Sequence, residues 1–234
     1  LADVDIPEPA SLYSQPFFGS EATLGRNGSL RDRIGSSVSS RHPYRSYAHQ
    51  YGLDSVADEN QRTHLAFQEY TKRYLRCVKG VDDNLGRLFS YLKENDLWDN
   101  TIIVYTSDQG MMLGEHDYMD KRWMYEESMR MPFIMRFPDK IAAGSRTKAI
   151  VNNTDYAPTL LELAGGKVPD YMQGESFANI LENPSEAFHE ATYYRYWMHL
   201  THHDVPSHFG VRTEESKLMF YYGEHYLPEK YGKN

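Results

Sequence analysis

The sequence predicts an α/β fold organised around a mostly parallel sheet, followed by a small C-terminal antiparallel α+β subdomain. Three observations carry that reading. Apolar residues recur at helical spacing from Phe67 to Leu92; two short, almost wholly apolar runs follow at Thr101–Thr106 and Phe133–Phe137; and after about residue 190 the chain turns to Tyr-rich segments of strand character.

The first 60 or so residues are irregular, because Pro7, Pro9, Pro16 and Pro43 with many Gly and Ser interrupt any long period. Extended pieces and short turns laid over a larger body are expected there. Phe67, Tyr70, Tyr74, Val78, Val81, Leu85, Leu88 and Leu92 then step by three or four and share one face of a long helix. Cys77, among those core-facing positions, reads as a small buried hydrophobe. Thr101–Thr106 and Phe133–Phe137 read as strands covered on both faces, and Pro138 stops the second. Asn152-Asn153-Thr154-Asp155 can cap a helix beginning near Tyr156, with Pro158 in its first turn. Leu160, Leu161 and Leu163 would face its core, and Gly165-Gly166 would end it. ATYYRYW, HFGVRT and KLMFYY form antiparallel strands, the last two joined around Thr213 to Ser216. The expected division is a connecting segment at 1–64, an α/β body at 65–185 and a C-terminal subdomain at 186–234.

Composition narrows the function. Twenty-five basic against 33 acidic residues give a net charge of −8, so bulk electrostatics do not favour nucleic acid. An anionic ligand would need local basic residues. No apolar run approaches the length that spans a bilayer.

The chemistry concentrates in TSDQGMMLGEHDYMDKRWMYEE, residues 106–127. Asp108 and Gln109 follow an apolar strand, and ligands of open α/β sheets bind beyond the carboxyl ends of strands. A carboxylate and an amide oxygen are hard donors suited to Ca²⁺ or Mg²⁺. Gly110 would let the backbone turn beside the ion, and Lys121 could face an anion bound to it. The same triplet also reads as a polar turn after a strand. Glu126 and Glu127 read as capping or orienting groups, and Asp120 as a partner of Lys121 or Arg122. Arg195, His199, His202, His203 and His208 form a second, looser group.

TIIVYTSDQGMMLGEHDYMDKRWMYEESMRMPFIMRFP resembles the second half of the catalytic domain of sulfatases, within the alkaline phosphatase superfamily. YLRCVKGVDDNLGRLFSYLKENDLWDN, IVNNTDYAPTLLELAG and HFGVRTEESKLMFYY resemble the family's preceding helix, following helix and C-terminal strand pair, in the right order. The resemblance implies an alkaline-phosphatase-like sandwich, of which this chain holds the C-terminal portion. It implies that Asp108 and Gln109 are metal ligands, that Lys121 contacts the sulfate group, and that His116 lies near the catalytic centre. His208 and Arg195 are the expected substrate contacts on the pocket rim. Sulfatases carry a formylglycine made from Cys or Ser in a C/S-x-P-S-R motif, together with further upstream aspartates. Neither is in this sequence: Ser37-Val38-Ser39-Ser40-Arg41 has Ser39 where the motif has Pro. The formylglycine is therefore expected in a missing upstream half, and turnover only in its presence.

The implied substrates are sulfated carbohydrates or aryl sulfates, and the complete protein is expected to be periplasmic or secreted. A phosphodiesterase or phosphonate hydrolase of the same superfamily, and a non-catalytic module that binds sulfated glycans, are the competing readings.

Overall fold

The computed structural model describes residues 1, 3–13, 51–115, 119–199, 205 and 207–222. The first helix among the described residues, α1, runs over Glu59–Glu94, and its 36 residues make it about 54 Å long. Asp58 caps it, the carboxylate accepting from Gln61 N at 2.7 Å. The expected boundary at 64/65 thus falls inside a continuous helix. Residues 3–13 lie against its first half as extended chain and turns. The Gln68 side chain exchanges two hydrogen bonds with the Ile6 backbone (2.9 and 2.7 Å), and Leu12 is buried with Ala66 and Phe67.

The helical period is as predicted, but its cover is not. Phe67 and Leu92 are buried, whereas Tyr74, Val78, Val81 and Leu88 between them are exposed. Cys77 is exposed as well, which corrects the expectation of a buried thiol. Periodicity shows which face of a helix is apolar and says nothing of what covers it.

Strand β1 (Ile103–Thr106) pairs with β4 (Phe133–Arg136) in antiparallel register, Ile103 opposite Arg136 and Thr106 opposite Phe133. Among the described residues all strand pairings are antiparallel, so the mostly parallel sheet expected for the whole sandwich has no parallel pair within them. β1 is half-buried and Ile134 of β4 is 64% exposed. An apolar run marks a strand meant for burial and leaves the direction of its neighbour open. Arg136 ties this pair to the helix end: its guanidinium stacks over Trp98 at 4.0 Å and bonds Asp99 at 2.8 Å.

Between β1 and β4 lie a two-residue ladder, β2 (Met112–Leu113) with β3 (Met119–Asp120), and the short helix α2 (Glu126–Met129). A 3₁₀ turn (Asn153–Asp155) leads into α3 (Tyr156–Leu163). Pro158 and Thr159 are its buried residues, while Leu160, expected in the core, is exposed. α4 (Ala178–Glu182) follows. The C-terminal sheet has the predicted form: β5 (Ala191–Tyr196), β6 (His208–Thr213) and β7 (Lys217–Tyr221) are antiparallel in that order. Its inner face packs on Met112, Trp123 and Val205 to make the larger apolar cluster.

Candidate functional site

The polar loop begins where β1 stops. Asp108 Oδ1 accepts Gln109 N at 2.9 Å, and Ser107 Oγ donates to the Gln109 carbonyl at 3.1 Å, which fixes a tight turn. The Asp108 side chain is 87% exposed. Gly110 packs so closely on the start of α2 that a Cβ there would lie 2.0 Å from the Glu127 carbonyl oxygen. It also donates to the Ser128 carbonyl at 3.1 Å. Its smallness therefore serves a backbone-to-backbone approach that brings the β1 end against α2.

Lys121 reaches the same place from the other side, with Nζ 3.8 Å from Asp108 Oδ2. The backbone that presents it is unusual. Asp120 (φ 65°) and Arg122 (φ 90°), on either side, both occupy the left-handed region. For side chains other than glycine this costs about 1–3 kcal/mol each, and surrounding contacts must hold it. The holding contacts are visible. Arg122 pairs with the Asp120 carboxylate, as expected for that aspartate, and the Arg122 carbonyl accepts the Tyr194 hydroxyl at 3.0 Å. Trp123 and Met124 are then buried against the C-terminal sheet. Trp123 stacks on His208 at 6.3 Å and lies 6.2 Å from Tyr221. Gly210 admits Met124, whose Sδ would be 2.4 Å from a Cβ there.

Glu126 completes the attachment. Its carboxylate accepts from Lys217 Nζ at 2.6 Å and from Arg212 Nε and Nη2 at 3.2 and 3.3 Å. Burial alone would raise its pKa, but the hydrogen bonds and charges of Lys217 and Arg212 outweigh that and hold it below the ordinary glutamate range. Orienting the segment, and not binding metal, is the role anticipated for it.

The remaining predicted residues separate. His208 is 0% exposed, ringed by Trp123, Tyr194, Tyr196 and Tyr221. The residue expected to touch substrate thus lies inside the aromatic wall behind Lys121. Arg195 is exposed on the opposite, outer face of the sheet, its guanidinium 3.5 Å above the Trp197 ring and its Nε 3.4 Å from the Tyr222 hydroxyl. His116, Asp117, His202 and His203 lie outside the described residues.

Sequence reasoning passed over a second buried centre. Asp155 is buried and accepts Asn152 N at 2.7 Å, Glu175 N at 3.0 Å and His189 Nε2 at 2.9 Å. It ties the α3 start to the segments before α4 and β5. In the sequence Asp155 reads only as part of a helix cap. The later partners, 20 and 34 residues away, have no local signature.

Among the described residues no cluster of three or more His, Cys, Asp or Glu could hold a metal. Asp108 and Gln109 fit Ca²⁺ or Mg²⁺ in kind, as hard oxygen donors on an open edge. They supply a minority of the roughly six to eight oxygens that Ca²⁺ takes.

These features define the class. The chain matches the family described as Sulfatase over residues 10–166, and that described as N-sulphoglucosamine sulphohydrolase, C-terminal, over residues 114–233. The chain belongs to the sulfatase family, and its architecture is the α/β, alkaline-phosphatase-like one. Over 161 residues it is 48% identical to the N-acetylglucosamine-6-O-sulfatase of Bacteroides thetaiotaomicron, a match covering 68% of this chain and 29% of that protein. It is 39% identical over 121 residues to a putative extracellular sulfatase Sulf-1 homolog of Caenorhabditis elegans, covering 50% of this chain and 17% of that one. A solved protein in complex with its substrate, D-glucosamine-2-N,6-O-disulfate, superposes with a TM-score of 0.81 at 32% identity, covering 99% of this chain and 56% of that chain. The phosphonate monoester hydrolase of Agrobacterium radiobacter gives a TM-score of 0.57 at 25% identity, over 70% of this chain and 34% of that one. The chain thus spans under a third of those two curated relatives and about half of the first solved chain. No helix among the described residues is long and apolar enough to cross a membrane.

Proposed function

We propose that this chain is the C-terminal part of a sulfatase that hydrolyses sulfate esters on sulfated glycans, with glucosamine sulfates as the leading substrate class. The observation that carries the reading is the convergence of Asp108 and Lys121, 3.8 Å apart, from two loops at the end of β1. Lys121 would bind a sulfate oxygen and offset the negative charge that gathers on it as the ester bond breaks. Asp108 and Gln109 would hold one side of a divalent cation, Ca²⁺ or Mg²⁺, whose positive charge polarises the same sulfate. Asp108 also orients the Lys121 ammonium through their ion pair. The formylglycine and the other metal ligands belong to the upstream half, with which this chain would form one active site. Arg195, with Trp197 and Tyr222, would touch a more distant sugar. Residues 1–64, 65–185 and 186–234 would act as connector, catalytic body and C-terminal subdomain. The complete protein would work in the periplasm or outside the cell, a reading supported by its resemblance to an extracellular sulfatase homologue.

Phosphonate hydrolysis on the same scaffold is the second reading, supported by the likeness to the Agrobacterium enzyme. The test is turnover by the complete enzyme of glucosamine 6-sulfate and of a phosphonate monoester, before and after Asp108→Ala and Lys121→Ala. Loss of sulfate-ester turnover in both variants supports the assignment. Full activity in both overturns it, and preference for the phosphonate favours the second reading.

A further inference from the structure

We infer that Tyr194 is a positioning residue for Lys121, so that the C-terminal sheet sets the geometry of the anion site without touching the anion. The inference rests on Lys121 being the sulfate-binding group, and adds the means by which it is held.

Several observations meet at this point. Lys121 lies between two residues, Asp120 and Arg122, that both adopt left-handed backbone without being glycine. Such a pair would relax toward ordinary backbone, and turn the Lys121 stem, unless it were tied from outside. The tie is the Tyr194 hydroxyl, which donates to the Arg122 carbonyl at 3.0 Å across 72 residues of sequence. The tyrosine itself is immobilised. It stands on the inner face of β5 opposite Gly210, with its ring 5.7 Å from His208. The next residue along the loop, Trp123, is locked on the same aromatic wall. Burial pushes the Tyr194 phenol to about 12, so it keeps the proton it donates throughout the neutral range. On the far side of the loop, Lys121 Nζ meets Asp108. The lysine is therefore stretched between the sheet that fixes its backbone and the β1 loop that receives its charge.

The test is a double-mutant cycle in the complete enzyme, using Tyr194→Phe, Lys121→Met and the pair. The readouts are kcat and KM on a glucosamine 6-sulfate ester and inhibition by inorganic sulfate. Tyr194→Phe keeps the ring and its packing, and thermal unfolding checks that each variant is folded. Tyr194→Phe is expected to lower kcat/KM about three- to tenfold, the loss of one uncharged hydrogen bond, and to weaken sulfate inhibition by a similar factor. In the Lys121→Met background it is expected to change neither. Equal losses in both backgrounds would reduce Tyr194 to a general structural role and overturn the inference, as would an unaltered Tyr194→Phe enzyme. If Lys121→Met alone leaves turnover and sulfate inhibition intact, the sulfate-binding reading fails first and the inference falls with it. That failure is seen without any change at Tyr194.

Discussion

Lys217 donates to Glu126 across 91 residues of sequence, at 2.6 Å, and so fastens strand β7 to the helix that follows the Lys121 loop. Arg212 flanks the same carboxylate, and in the β6–β7 register Arg212 stands directly opposite Lys217. Two like charges facing each other across a ladder repel, and Glu126 reverses the sign of that contact. Removing the carboxylate should therefore do more than remove one ion pair. Glu126→Ala is expected to lower the stability of the C-terminal sheet by about 1–3 kcal/mol, read as a shift in denaturant midpoint.

Acid should act through the same group. Because the folded-state pKa of Glu126 is depressed, its contribution is complete above the ordinary glutamate pKa and is lost as pH falls through the lower folded value. A stability profile that declines below about pH 4.5, and declines less in Glu126→Gln, is the expected outcome. Identical profiles for the two proteins would contradict it.

Asp155 is the most exacting position outside the candidate site. It is buried and its oxygens serve two backbone amides and His189. Asp155→Ala leaves these part-buried donors without their acceptor and is expected to cost about 1–3 kcal/mol. His189→Ala, which removes one of the three contacts, should cost less. Thermal unfolding of both variants checks the order.

The two faces of the C-terminal sheet make separable kinetic predictions. Arg195 is on the outer face with Trp197, away from Lys121. In the complete enzyme, Arg195→Ala is expected to raise KM for a sulfated oligosaccharide while leaving a sulfated monosaccharide within about twofold, the size of a surface effect. Equal loss on both substrates would bring Arg195 into the catalytic centre.

The exposed stripe on α1 predicts behaviour of this chain by itself. Tyr74, Val78, Val81 and Leu88 present an apolar row to solvent, and Ile134 adds another exposed apolar side chain on β4. Such surfaces drive association. Val78→Glu with Val81→Glu should reduce self-association in sedimentation or light scattering, and Cys77 should react quickly with a thiol reagent.

Much of this was legible because it is local. The helix from Phe67 to Leu92, the α3 start at Asn152–Asp155 and the hairpin around Thr213–Ser216 each follow from spacing within a dozen residues or so. Asp108 and Lys121 could be picked out by donor chemistry and by resemblance. What stayed hidden is what depends on distant partners. The direction of β1 relative to β4, the burial of His208 and the Tyr194 contact are settled by packing between remote segments. One clue was available: once HFGVRT and KLMFYY are aligned as a hairpin, Arg212 faces Lys217, and a carboxylate partner is called for.

The three tryptophans also make the molecule its own optical instrument. Trp123 is 1% exposed in the wall behind Lys121, Trp98 is half-buried beneath Arg136, and Trp197 is 68% exposed beneath Arg195. Their emission should be graded in colour from blue to red, one indole for each junction. Replacing two of them by phenylalanine leaves a single lamp. With Trp123 alone, the detachment of the C-terminal sheet from the lysine loop can be watched directly in a stopped-flow cell, with no added dye and no substrate.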